Sequence, residues 1–176
     1  MEDSTNEIEI VERFVLLVHQ FCAVIDDASN LDRAEILGRV YPLLPRLIDQ
    51  AIAMPRVEEA EDAEEVESDE ALPRKSGSTH EERWSLFELL QEKLGDWDRY
   101  SEVFDPARDM IPIVGSLADD LADTYFDLKE GLALQEAGET EPSRVIWEWR
   151  FSFDIHWGEH ALSALRSLYF RFRENS

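Results

Sequence analysis

Residues 6–27 read Asn6-Glu-Ile-Glu-Ile-Val-Glu-Arg-Phe-Val-Leu-Leu-Val-His-Gln-Phe-Cys-Ala-Val-Ile-Asp-Asp27. Ile8, Val11, Val15, Val18, Cys22 and Ile25 recur at steps of three and four, which places them on one stripe of an α-helix. Phe14, Leu17, Phe21 and Val24 widen that stripe, so this helix is expected to be buried over much of its circumference and to form the centre of the core. Ser4 and Glu7 have the spacing of a capping box ahead of it. His19 and Gln20 interrupt the apolar stretch Phe14 to Ile25, which is too short to span a bilayer.

The same periodicity continues along the chain. A second helix is expected from Leu31 to about Met54, capped by Asn30 and broken near Tyr41, because Pro42 and Pro45 remove backbone donors. Thr79 and Glu82 form another capping-box pair. The helix they start carries Trp84, Phe87, Leu90 and Leu94 on one face and stops at Gly95. Residues Asp96 to Gly115 read as irregular, pinned to the bundle by Trp97, Tyr100 and Phe104. A fourth helix runs from Ser116 to Gly138 with the stripe Ala118, Leu121, Tyr125, Leu128 and Leu132. The last starts at Pro142, a favoured first position, and can reach Glu174, a rod of ~50 Å with Gly158 as its natural bend. Trp147, Trp149, Phe151 and Phe153 alternate as a strand would, so a short strand competes there. The fold class is all-α: one domain over residues 1–176, an irregular antiparallel bundle of four long helices plus short helical pieces.

Composition bounds the function. The 176 residues hold 17 Lys and Arg against 40 Asp and Glu, a formal charge of −23. Such a field repels phosphate backbones and anionic lipid, which excludes nucleic acid and membrane surfaces as partners and leaves basic proteins and cations. Nine of the thirteen residues Glu58 to Glu70 are acidic. Their repulsion makes about 55–78 a solvated, flexible insert within the domain. Cys22 is the single cysteine, so no disulfide framework exists. A small buried thiol and the Met-Glu-Asp-Ser start point to the cytoplasm.

Two clusters bear on chemistry. In the fourth helix Asp119, Asp123 and Asp127 fall at i, i+4 and i+8, with Asp120 beside them. Like charges at that spacing destabilise a helix by about 0.2–0.5 kcal/mol per pair. The helix dipole accounts for Asp119 and Asp120. Asp123 and Asp127 need cations, which Arg144 and Arg150 can supply across an antiparallel pair. In the last helix His156-Trp-Gly-Glu-His160 presents two imidazoles on one face. Against those aspartates the pair makes a mixed His/carboxylate site suited to divalent iron, manganese or zinc. Structural histidines bonded to carboxylates produce the same sequence. Neither the His-Glu-x-x-His motif nor the Glu-x-x-His pairs of di-iron bundles are present, since Phe153 and Trp157 stand three before the histidines. Eight of the eighteen aromatics lie between Trp147 and Phe172, which implies either burial on several sides or an apolar patch for a partner or a second copy.

Tyr100-Ser-Glu-Val-Phe-Asp-Pro, Leu117-Ala-Asp-Asp-Leu-Ala-Asp-Thr-Tyr, Asp127-Leu-Lys-Glu-Gly-Leu, and Trp147-Glu-Trp with His156-Trp-Gly-Glu-His160-Ala together resemble a bacterial family of helical proteins catalogued only as a domain of unknown function. The resemblance covers most of the chain outside the acidic insert. It implies a bacterial cytoplasmic protein and a helical bundle, and brings no activity or catalytic residue. Charge, insert and aromatic excess favour a non-enzymatic protein-interaction module without a cofactor, selecting a basic partner, with a homodimer possible. The alternative is a metal-binding protein or metal-dependent hydrolase using Asp119, Asp123, Asp127, His156 and His160. A helical pyrophosphohydrolase is one version of that alternative, although its Glu-Glu-x-x-Glu pattern is not matched in the fourth helix.

Overall fold

Side chains that satisfy orphan backbone groups start three of the described helices. The computed structural model describes residues 2–56, 78–103, 107–138 and 142–174, with backbone alone at 2–7 and 142. Helix α1 spans Glu2–Asp26, α2 Arg33–Val40, α3 Leu44–Ala53 and α4 His80–Leu94. Strands β1 (Arg99–Glu102) and β2 (Ile113–Ser116) follow, then α5 (Leu117–Ala137), α6 (Pro142–Ser152) and α7 (Gly158–Glu174). Thr79 and Glu82 form the expected reciprocal cap of α4. Ser116 caps α5, accepting from the Asp119 N–H at 3.3 Å.

Several boundaries differ from the sequence reading. Helix α1 is already running at Ser4, which therefore does not cap it. The second helix is capped by Asp32 with Glu35 rather than by Asn30. It breaks after Val40, as the prolines require, and resumes as α3 with Pro45 in its first turn. The stretch 96–115 is not wholly irregular: β1 and β2 pair antiparallel, with Tyr100 opposite Gly115 and Ser101 opposite Val114. Ile113 and Val114 are β-branched and sit just after Pro112, a short strand signal set within turn residues. The aromatic run Trp147–Phe153 is helix, not strand. The acidic stretch 57–77 and Phe104 lie outside the described residues.

From Pro142 to Glu174 the backbone stays helical, joined through a π turn at Phe153–Trp157. Gly158, where a bend was expected, has ordinary right-handed helical angles. A methyl group there would run into the Phe153 carbonyl oxygen, so the π turn itself requires glycine.

Helix α5 lies at the centre, packed against α1, α4, α6 and α7, while α1 packs on α2, α3 and α5. All five residues of its expected stripe are buried. The core face of α1 runs through Phe14, Leu17, Val18, Phe21 and Ile25, whereas Ile8 is exposed. Phe14 meets Trp149 edge-on at 5.3 Å between ring centroids and Trp157 at 6.1 Å, so two of the aromatics from the last rod fill the core. The Trp149 indole donates to the Leu128 carbonyl at 3.4 Å and lies against Gly131. Any side chain at 131 would occupy the volume of that ring. Gly131→Ala is therefore expected to lower unfolding stability by about 1–3 kcal/mol or more, read from urea titration; a neutral result would show that α5 and α6 are less tightly packed.

Candidate functional site

The antiparallel packing of α5 on the last rod brings the aspartates of one against the histidines of the other. Asp127 faces His156, with 2.8 Å between the carboxylate and Nδ1. Asp120 lies 3.0 Å from Nδ1 of His160. On the other side of the His160 ring, Nε2 lies 3.5 Å from Asp123. Asp123, His156 and His160 each offer one ligating atom, and those atoms lie within 4.8 Å of one another. The two rings meet edge-to-face at 4.9 Å.

Behind this cluster stands a second layer. Asp120 is 4% exposed. It accepts a 2.5 Å hydrogen bond from the Tyr100 hydroxyl on β1. Tyr100 also approaches Glu102 at 3.4 Å. In front, Arg83 of α4 lies 3.7 Å from Asp123 and covers the Phe126 ring. A groove of about 150 Å³ adjoins Asp123, lined by His80, Arg83, Trp84, Phe87 and Asp119. A larger pocket of about 500 Å³ between α1, α4 and α5 includes Tyr125 and Lys129 but no member of the His/Asp cluster.

These contacts set the ionisation. The bond to Asp127 raises the pKa of His156 above the ordinary imidazole value. Burial works against charge on His160, but the Asp120 hydrogen bond and the nearby charges of Asp120, Asp123 and Asp119 outweigh it and lift the pKa to about 9. Burial pushes Asp120 up to about 6, against the bonds from His160 and Tyr100. Asp119 is raised by burial and by Asp123.

Of the five candidate residues, Asp123, His156 and His160 come together. Asp127 stands behind His156, and Asp119 sits at the groove. Two sequence expectations are corrected. Arg144 bonds Glu148 in its own helix, and Arg150 reaches Asp154 and the Ala51 and Ile52 carbonyls. The aspartates are met instead by histidines and by Arg83. Asp120 is not left to the helix dipole; it carries the His160 contact. Tyr100 appeared in the sequence as a core aromatic, and nothing in its spacing pointed to Asp120, twenty residues on. Arg83 gave no signal at all. Asp26, which aligns with Glu12 and His19 on α1, accepts from Tyr125 at 2.5 Å and Lys129 at 3.0 Å.

A pH dependence follows. His160 binds its proton more tightly folded than unfolded, so its contribution is complete below the unfolded value near 6.5 and is lost as pH rises through about 9. Asp120, pushed up to about 6 by burial, is ionised over most of that window. With a chelator present, unfolding free energy is expected to fall by about 2–3 kcal/mol between pH 6.5 and 9.5. Denaturant titrations at both pH values check this, and His160→Gln should shrink the difference to the smaller part that His156 contributes.

Among solved structures, protein BF1032 from Bacteroides fragilis, a Northeast Structural Genomics Consortium target, is similar to this chain. The two are 25% identical, the match covers 91% of this chain and 90% of that one, and the TM-score is 0.71. No curated protein matches. Residues 5–172 carry the match to a family, and the chain belongs to it: Domain of unknown function (DUF5063).

Proposed function

We propose that the chain binds one divalent transition-metal ion through His156, His160 and Asp123. The observation that carries this reading is the state of the two Nδ1 atoms. Each lies against an aspartate, Asp127 or Asp120, that is almost fully buried. When an incoming metal displaces the proton from Nε2, that arrangement keeps the remaining proton on Nδ1 and leaves Nε2 as the ligating atom, so binding releases protons and strengthens as pH rises. In metal sites, such carboxylates orient ligating histidines and raise their basicity. Two imidazoles and one carboxylate form a set that suits iron(II), manganese(II) or zinc(II). Three protein ligands leave positions for water or substrate, as catalytic rather than closed structural sites do. Beside the groove at His80, Arg83 and Trp84, a water held there would be acidified toward neutral pH, which supplies the nucleophile for hydrolysis.

Metal-stripped protein titrated with manganese(II), iron(II), cobalt(II) and zinc(II) tests this by thermal shift and by metal content. One equivalent is expected, lost in Asp123→Ala and His160→Ala. Asp120→Asn and Asp127→Asn should weaken binding about 10–100-fold while keeping the ligands. No bound metal and no shift with any of the four ions would return the cluster to a purely structural role.

A second reading, a non-enzymatic module for a basic protein partner, is favoured by a different feature. Met110, Ile111, Ile113 and Val114 are exposed around Pro112, one apolar run at the hairpin of an acidic protein. No helix among the described residues is long and apolar enough to cross a membrane. Cys22 is buried, with its thiol pushed up to about 12 by burial and Asp26, which goes with a reducing, cytoplasmic setting.

A further inference from the structure

Helix α7 has two working faces. Ala161, Ala164 and Leu168 are buried against the bundle. On the opposite side Leu162 is 52% exposed, Tyr169 48% and Phe170 44%. Leu162 and Tyr169 are two turns apart, and Phe170 neighbours them on the same side. Ile155, in the π turn just before the helix, is exposed as well. One exposed leucine is ordinary, whereas a stripe containing two aromatics marks a contact surface.

Charges interleave with this stripe. Glu159, Arg166 and Arg173 are exposed and share its face. Among the described residues neither Glu159 nor Arg166 has an ion-pair partner. They cannot pair with each other in one helix, because seven residues separate them by about 10 Å.

We propose that this face is a homodimer interface, with α7 of two copies packed antiparallel about a two-fold axis crossing near Leu162. That axis sets Glu159 of each copy opposite Arg166 of the other, so one charge pair is made twice, as an isologous contact requires. Leu162 then lies beside its own copy, and Phe170 falls over Ile155 of the second chain. Parallel packing is excluded by the same residues, since it would set Glu159 on Glu159 and Arg166 on Arg166. The formal charge of −23 would keep copies apart on most faces. Along Gly158–Glu174, three arginines outnumber two glutamates, so this helix is spared that repulsion. Its 17 residues make a strip of ~25 Å, smaller than the interface of a standard stable complex. The dimer is accordingly weak and populated at micromolar concentration. The metal-binding reading plays no part here, since His156, His160 and Asp123 lie on the side facing α5.

Sedimentation velocity of the full chain, over about 1–500 μM at moderate salt, tests this. The mass is expected to move from 20.4 kDa toward twice that value. Leu162→Glu should abolish the shift. Glu159→Arg and Arg166→Glu should each weaken association by about tenfold. The double exchange E159R/R166E restores opposite charges across the seam and should recover the dimer. All of these side chains are exposed, so unchanged thermal unfolding will show that each variant folds. A monomer at every concentration, a dimer indifferent to Leu162→Glu, or a double exchange no better than either single one would overturn the proposal.

Discussion

Everything in this bundle has to accommodate carboxylates carried on its central helix. Two aspartates at this end of the bundle are nearly inaccessible: Asp120, on α5 itself, and Asp98, just before β1, which is 2% exposed and whose carboxylate meets the first residues of α5. An ionised carboxylate without partners would be prohibitive at such sites. Asp98 is answered by the Ser116 hydroxyl at 2.7 Å, the Ala118 N–H at 3.0 Å and the Gln91 amide at 3.2 Å, with Arg99 beside it. Asp120 is answered by Tyr100 and His160. These bonds tie α5 to the hairpin, to the end of α4 and to α7, so the polar cluster is also the joint between the elements.

The π turn resolves a conflict of faces in the last rod. Trp149 and Trp157 must enter the core, while His156 and His160 must meet α5. One widened turn at Phe153–Trp157 changes the angular register between the segments, so that Trp157 is buried and the adjacent histidine reaches Asp127. Such turns are frequent at functional sites. Here the turn leaves both histidines on continuous helical backbone rather than on a loop, which holds their spacing through burial of the neighbouring tryptophan.

Polar satisfaction and chemistry are entangled at this centre. The bonds that make Asp120 and Asp127 tolerable inside the protein are also those that aim two imidazole nitrogens toward Asp123. The helical bundle and the i, i+4 histidines were legible because each is a matter of spacing along one helix. The pairing of Asp127 with His156 was legible only as a possibility, since it depends on how two helices are offset. The hairpin escaped notice because its strands are four residues each and its pairing joins residues well apart in the chain.

By itself, the sequence determined the helices, the breaks at the prolines, the capping box of α4, and which stripe of α5 is buried. These are local consequences of side-chain period and backbone hydrogen bonding, which act over a turn or two. Tertiary structure alone decided that α5 rather than α1 is central, that Arg83 and not Arg144 or Arg150 stands by Asp123, and that Tyr100 closes the site behind Asp120. It also decided where the last rod widens into a π turn. Those outcomes depend on the relative rotation and offset of packed helices, which emerge from filling the whole core and from satisfying every buried charge at once.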